Sequence, residues 1–223
     1  MASIRIDVVS DVVCPWCYLG KARLELAVAE IQDDISAEIH WQPYQLNPDY
    51  PPEGVDHQKT LADKLGGAEN VGRIHENLRA LGREVGIVYD FEAIKIGPNT
   101  LDAHRLIHWA GIEGPEIQDA VVTALFRANF EEGRNVGDPA VLVGIAAAAG
   151  MGEKVIAALL ASDADKDVVR QHIAAARHMG VSGVPFFIID GKYAISGAQT
   201  PDVLADAFRQ IAADKDGNRK DLN

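Results

Sequence analysis

The chain has 223 residues, with 21 lysines and arginines against 33 aspartates and glutamates, which gives a net charge of −12. This acidic balance argues against binding to a nucleic-acid backbone, because such binding requires a basic surface. The 48% hydrophobic and 24% charged residues are typical of a globular protein. No apolar run approaches the roughly 20 residues of a membrane helix, so no membrane partner is predicted.

The N-terminal segment does not have the pattern of a secretory signal, because Arg5 and Asp7 interrupt its hydrophobic residues. We therefore expect a cytoplasmic protein. Two cysteines in that compartment do not predict a disulfide scaffold, which small secreted domains build from many cysteines. Both cysteines instead lie within four residues of each other, at Cys14 and Cys17, and this spacing is the most informative feature of the sequence.

The N-terminal part of the chain predicts a strand, a helix and a second strand. Apolar and polar residues alternate from Ile4 to Val8, the period of a half-buried strand. Apolar residues then recur at spacings of three and four, which predicts a helix that begins at Pro15 and ends near residue 33. Proline fits the first turn of a helix because its missing N–H would have no partner there. A second strand is predicted for 37–46.

The middle of the chain has no strand pattern and is predicted to be helical. Capping residues and glycine stops separate seven amphipathic segments. These segments are 56–65, 68–85, 99–111, 115–131, 138–149, 152–161 and 164–178. Two short strands follow at 185–190 and 192–196, and the Asp190–Gly191 step between them indicates a hairpin. A final helix is predicted for 201–213, and the polar residues 214–223 form a C-terminal tail.

The order of the predicted elements indicates a fold class. Without the helical segment, the order is β-α-β followed by β-β-α, which is the order of a thioredoxin core. We therefore predict an α/β protein with a thioredoxin-like core and a large all-helical insertion. Residues 1–47 and 180–213 would form the core, and residues 48–179 would form the insertion.

Cys14, Pro15, Trp16 and Cys17 form a CxxC motif at the predicted start of the first helix. Unpaired backbone N–H groups and the positive end of the helix dipole stabilise a thiolate at that position. Cys14 would attack a disulfide, and Cys17 would resolve the mixed intermediate. A zinc site is a poorer explanation, because zinc needs four ligands and the chain has no third cysteine. No metal site is predicted.

Pro185 opens the first of the two late strands, where a proline removes one donor from the hydrogen-bond ladder. A cis Val184–Pro185 bond in a tight turn explains this placement, although a trans proline at the start of an edge strand also fits. In a thioredoxin-like core this turn faces the CxxC motif. The order of the elements therefore favours the cis form, with the Val184 backbone pairing with an extended substrate.

Six segments together resemble the FrnE branch of the DsbA-like thiol oxidoreductases. They are 11–20, 45–48, 99–105, 126–133, 180–187 and 196–199. The resemblance implies that Cys14 and Cys17 are the redox pair and that Pro185 is a cis-proline. It also implies that the helix of His104 lies near the catalytic cleft, where His104 would contact substrate. The Pro-Trp dipeptide and the absence of an export signal differ from periplasmic DsbA and argue against a strong secreted oxidant.

The resemblance extends to 2-hydroxychromene-2-carboxylate isomerase and kappa-class glutathione transferases, which share this architecture. A glutathione-dependent isomerase or transferase is therefore the alternative function, with glutathione along Val184 and the turn of Gly197, Ala198 and Gln199. Such enzymes need no resolving thiol, so Cys17 favours disulfide exchange. A third hypothesis is a holdase that binds unfolded chains between the two domains, but aromatic residues make up only 6% of the chain.

The expected partners follow from the same resemblance. They are polypeptides that carry disulfides or thiols, or glutathione as a reductant or co-substrate. The direction we expect is reduction or isomerisation, with no resident cofactor. The family also leads us to expect a homodimer.

Overall fold

The computed structural model describes the backbone of residues 2–220 and the side chains of residues 2–215. In chain order the elements are β1 (Ala2–Ser10), α1 (Pro15–Ile31), β2 (Ile35–Pro43), β3 (Val55–Asp56), α2 (His57–Leu65), α3 (Ala68–Glu84), β4 (Ile96–Gly97), α4 (Leu101–Glu113), α5 (Pro115–Phe130), α6 (Pro139–Ala148), α7 (Glu153–Leu160), α8 (Lys166–His178), β5 (Phe186–Ile189), β6 (Tyr193–Ser196) and α9 (Pro201–Lys220).

A four-stranded sheet in the order β2-β1-β5-β6 organises the fold. β1 pairs in parallel with β2 and antiparallel with β5, and β5 pairs antiparallel with β6. The parallel pair is joined through α1, as a parallel connection requires. The carboxyl ends of β1 and β2 therefore meet at one edge of the sheet, and the CxxC motif follows β1 at that edge.

The two faces of β1 belong to different hydrophobic clusters. Ile4, Ile6 and Val8 lie in the main core, where α1 packs against α9 and α9 packs against β1. Val9 points to a smaller cluster that includes Ala176 of α8. The period-2 pattern of the sequence thus buries one side of β1 along its length, whereas the other side exposes Arg5 and is buried only near the carboxyl end, at Val9.

The predicted fold class is confirmed: the structure has a thioredoxin-like core and a long helical segment inserted between β2 and β5. One feature of the insertion was not predicted, the ribbon in which Val55 pairs with Gly97 and Asp56 with Ile96. Its two strands have two residues each, which is too short for a period of two to show in the sequence. The domain bounds given above remain a prediction.

The C-terminal end of the chain differs from the prediction. Helix α9 continues to Lys220, well into the segment interpreted as a polar tail. The side chain of Lys215 explains part of this extension, since its Nζ donates to Ser3 O at 2.8 Å and to Asp190 Oδ2 at 2.9 Å. These contacts attach the helix to β1 and to the β5–β6 turn. The remainder of the predicted tail, residues 221–223, lies outside the described residues.

Candidate active site around the CxxC motif

The CxxC motif forms the first turn of α1. Cys14 is the N-cap residue, with extended backbone angles of φ −93° and ψ 110°, and Pro15 is the first helical residue. The Cys14 carbonyl accepts from the N–H groups of Cys17 (3.0 Å) and Tyr18 (3.2 Å). The thiol of Cys14 therefore lies at the positive end of the helix dipole.

Val184 lies opposite the first cysteine. Cys14 Sγ donates to the Val184 carbonyl oxygen at 3.6 Å, across 170 positions of the sequence. The Val184–Pro185 peptide bond is cis. Cys14 and Val184 therefore meet between the start of α1 and the start of β5.

The turn after β6 lies beside Pro185. The Pro185 carbonyl accepts from the Gly197 N–H at 2.9 Å, and the Gly197 carbonyl accepts from the Gln199 N–H at 2.9 Å. The left-handed backbone of Gly197, with φ +80°, permits this turn. The structure thus brings the turn of Gly197, Ala198 and Gln199 next to the proline.

Two residues of α1 that the sequence analysis did not single out hold these loops in place. A Cβ atom at Gly20 would lie only 2.9 Å from Pro185 Cγ, so glycine permits the close approach of α1 to the proline ring. Arg23 is buried, and its Nη1 donates to the Ala198 carbonyl at 2.7 Å. The glycine could have been suspected from its place inside a predicted helix, where glycine needs a packing reason.

The two cysteines are free thiols with different surroundings. Cys14 is 4% exposed and Cys17 is 1% exposed. Burial raises the pKa of the Cys17 thiol well above its ordinary value, and the neighbouring Cys14 adds to this shift, whereas Ser10 and the Asp11 backbone oppose it. Cys17 is therefore held in its protonated form, as suits a thiol that reacts second.

The side chain of His104, for which the resemblance implies a substrate contact, is buried beside Asp11. His104 is 2% exposed, and its Nε2 lies 3.2 Å from Oδ1 of the fully buried Asp11. The second oxygen of Asp11 accepts from the Leu46 N–H at 2.8 Å. Because Asp11 precedes the motif by three residues, this buried pair connects α4 and the loop after β2 to the base of the site. His104 Nδ1 is buried without a hydrogen-bond partner among the described residues.

A cluster of aromatic side chains supports the motif from the insertion. Tyr89 donates its hydroxyl proton to the Pro15 carbonyl at 2.7 Å, which fixes the backbone between the cysteines. Its ring stacks on Phe91 and meets Tyr18 edge to face. Burial raises the pKa of Tyr89 above its ordinary value, so the hydroxyl stays a donor. The role of this residue could not be seen in the sequence, since it lies 74 positions from its partner.

Apolar side chains at the motif and in the two segments that border it are exposed. Trp16 of the motif is 37% exposed, Leu46 beside Asp11 is 44% exposed, and Met179 before the Val184 turn is 66% exposed. Exposed large apolar side chains next to a reactive group are suited to contact with a polypeptide.

Within residues 2–220, no cluster of three or more His, Cys, Asp or Glu side chains is arranged to hold a metal ion. In the same part of the chain, none of the helices has the length and apolar character needed to cross a membrane.

A thioredoxin-like fold with a helical insertion and two thiols at the start of its first helix indicates the DsbA-like class. The chain belongs to the family of the DSBA-like thioredoxin domain, which residues 5–209 match. The particular assignment to the FrnE branch remains a prediction.

Three proteins illustrate what the chain is similar to. The crystal structure of the probable DsbA oxidoreductase SCO1869 from Streptomyces coelicolor is 34% identical, with a TM-score of 0.84 over 93% of this chain and 89% of that one. The uncharacterized protein YwbO of Bacillus subtilis is 28% identical over 92% of this chain and 96% of its own. The cytosolic disulfide reductase DsbM of Pseudomonas aeruginosa, in its structure with GSH, is 18% identical and shares the fold, with a TM-score of 0.62 over 92% of this chain and 98% of that one.

Proposed function

We propose that the protein is a thiol–disulfide oxidoreductase in which Cys14 is the nucleophile and Cys17 the resolving thiol. The observation that carries this proposal is the position of Cys14: it is the N-cap residue of α1, and its sulfur lies 3.6 Å from the Val184 carbonyl oxygen. This sulfur lies at the positive end of the α1 dipole, as suits a nucleophilic thiol. Cys17 follows one turn later and is more deeply buried.

The exchange has two steps. The Cys14 thiolate attacks one sulfur of a substrate disulfide, the substrate S–S bond breaks, and the leaving sulfur takes up a proton as a thiol. Cys17 then loses its proton and attacks Cys14 Sγ, which releases the second substrate thiol and forms the Cys14–Cys17 disulfide. The substrate gains two electrons and the cysteine pair loses them. Two glutathione thiols can reverse the change in the pair and leave as glutathione disulfide.

The surroundings of Cys14 support a role in binding the substrate chain. The Val184 backbone lies beside the sulfur and can pair with an extended segment, while Pro185 has no N–H to compete for the thiolate. We assign Pro15, Trp16 and the turn of Gly197, Ala198 and Gln199 to the same surface. Trp16 would cover the apolar residues next to the substrate cysteine.

We propose reduction or isomerisation as the direction, in the cytoplasm, with glutathione as the reductant. The fold is shared with a protein named a cytosolic disulfide reductase whose structure contains GSH. The alternative, a glutathione-dependent isomerase or transferase, needs Cys14 alone. Cys17 lies against Cys14, where it can resolve a mixed disulfide. A glutathione-dependent isomerase or transferase has no use for a second thiol there, so the position of Cys17 favours disulfide exchange.

Insulin reduction with glutathione as the electron donor tests the proposal. The unaltered protein should turn over, Cys14→Ala should be inactive, and Cys17→Ala should accumulate a mixed disulfide at Cys14 that gel electrophoresis without reductant detects. Turnover that survives Cys14→Ala would reject the proposal. Calorimetry with glutathione on Cys17→Ser distinguishes the two functions. A glutathione-dependent isomerase or transferase should bind glutathione in a reversible complex, whereas disulfide exchange should give a covalent mixed disulfide.

A further inference from the structure

A cavity of about 470 Å³ next to the CxxC site carries two arginine side chains. It lies between α8, the start of α4 and the loop after β2. The polar residues of its lining are Gln45, Asn99, Arg170, Arg177 and His178. No aspartate or glutamate occurs among these described lining residues, in a chain whose net charge is −12. The positive lining therefore stands out from the charge of the whole molecule.

The cavity and the CxxC site share one wall. The segment 44–48 follows β2, and its Leu46 N–H donates to Asp11, three residues before Cys14. Gln45 and Pro48 of the same segment line the cavity. A second connection runs through Ala176 of α8, because the hydrophobic cluster to which it belongs also contacts Val184.

The arginines are held in different ways. Arg177 donates to the Gln45 carbonyl at 3.0 Å, and its guanidinium lies 5.4 Å from the centre of the Tyr44 ring. These two contacts fix the guanidinium at the cavity wall and leave further N–H groups for a ligand, since arginine has five. Arg170 Nη1 lies 3.2 Å from Oδ1 of the exposed Asp167, and solvent weakens this ion pair.

The lining also offers neutral donors and acceptors. Gln45 Nε2 donates to Asn99 Oδ1 at 3.0 Å, which orients both amides across the cavity wall. Asn99 Nδ2 donates to the Tyr50 carbonyl at 2.7 Å. A fixed polar wall with two guanidinium groups suits a carboxylate, which arginine binds through paired N–H donors.

We propose that this cavity binds a carboxylate of the peptide that carries the substrate disulfide, so that the protein prefers acidic peptide disulfides. The preferred class ranges from glutathione disulfide, the smallest such peptide, to longer chains with Asp or Glu near the cysteine. The inference rests on the proposed function and names its substrate class. A disulfide held at Cys14 would extend along Val184 on one side and reach the guanidinium groups on the other.

With dithiothreitol as the electron donor, the test compares kcat/KM for glutathione disulfide and for two disulfide-linked peptides of equal length, one acidic and one basic. The double variant Arg170→Gln, Arg177→Gln should lose about fivefold to thirtyfold in kcat/KM for the acidic peptide, equal to about 1–2 kcal/mol. The loss should appear in KM, because a remote charge contributes equally to ground and transition states. Turnover of the basic peptide should not fall, which also shows that the variant is folded.

The matched control is Arg209→Gln. Arg209 lies on α9 and pairs with the exposed carboxylates of Glu30 and Asp206, much as Arg170 pairs with Asp167. This substitution should leave kcat/KM unchanged for all three substrates. The result with glutathione disulfide identifies the source of the carboxylate. If the double variant loses kcat/KM for both acidic substrates, the cavity binds carboxylates of short and long peptides. If it loses kcat/KM for the acidic peptide alone, the cavity binds carboxylates of longer chains.

Two results would overturn the inference, and they differ. If the unaltered protein turns over all three substrates but the double variant shows no selective loss for an acidic one, the cavity does not bind carboxylates and the proposed function stands. If the unaltered protein turns over none of them, the proposed function fails and the inference fails with it.

Discussion

Replacing Gly20 by alanine tests whether the contact between α1 and the Val184–Pro185 turn holds the site together. A Cβ at this position would lie 2.9 Å from Pro185 Cγ and 3.6 Å from Ala198 Cβ. Two carbon atoms pack at ~3.5–4.0 Å, so the proline must move by roughly half an ångström or more. The ring cannot rotate away from the contact as a long side chain would.

Two opposing effects set the magnitude of this change. Alanine is favoured over glycine inside a helix by about 1 kcal/mol, whereas an added carbon in a packed interior costs about 1–3 kcal/mol. We expect a net loss of up to about 2 kcal/mol in the free energy of unfolding. Gly144→Ala in α6 is the matched control, since nothing lies within 4 Å of the added Cβ, and it should gain up to about 1 kcal/mol.

The assay combines urea unfolding with the rate of insulin reduction. Gly20→Ala should unfold at lower urea than the unaltered protein and should exchange disulfides more slowly, because the shift displaces the carbonyl that lies 3.6 Å from Cys14 Sγ. Gly144→Ala should unfold at higher urea and exchange at the unaltered rate. If Gly20→Ala is as stable as Gly144→Ala and equally active, the reasoning about this contact is refuted.

Three further predictions concern the support of the motif. Tyr89→Phe removes the hydrogen bond to the Pro15 carbonyl and should lower the free energy of unfolding by about 0.5–1.5 kcal/mol in urea titrations. Asp11→Ala leaves His104 and the Leu46 N–H without their partner, so the loss should be on the order of 1–3 kcal/mol for each buried group. The raised pKa of Cys17 means that the unfolded chain releases this proton first, at about pH 8.5, so that stability falls as the pH rises above that value.

Each of these predictions has an outcome that contradicts it. Equal unfolding midpoints for Tyr89→Phe and the unaltered protein would mean that the hydroxyl does not hold the motif. Asp7→Ala is the control for Asp11→Ala, because Asp7 pairs with the exposed Arg5, and a similar loss in both variants would contradict a special role for the buried pair. For Cys17, an ultraviolet titration of Cys14→Ser should show thiolate forming only above the ordinary pKa, and ionisation at or below it would contradict the burial argument.

The fold could be predicted from the sequence because, in most elements, the apolar residues repeat with the period of a helix or of a strand, but not of both. All seven helices of the insertion begin and end within a few residues of the predicted bounds. Their ends are marked by residues such as Asp138, whose side chain caps α6 through the Ala140 N–H. The two-residue ribbon and the extension of α9 were missed, because each depends on contacts between distant segments.

The candidate site was predictable only in part, for a similar reason. Cys14 and Cys17 stand in a short motif, and Pro185 breaks the expected pattern of a strand, so each leaves a local signal. Arg23 and Tyr89 support the site through backbone carbonyls far away in the sequence, and no local pattern marks such a partner. A substrate contact of His104 stays a prediction, and its side chain is buried on the face of α4 that meets Asp11.

A redox titration of the two thiols in glutathione buffers tests the central claim most directly. Alkylation and intact-mass measurement at each potential count the free thiols in every molecule. Both thiols should disappear together in one two-electron transition, at a potential near the glutathione pool, on the order of −220 to −320 mV. Independent loss of the two thiols, or a stable glutathione adduct on Cys14 while Cys17 remains free, would contradict it.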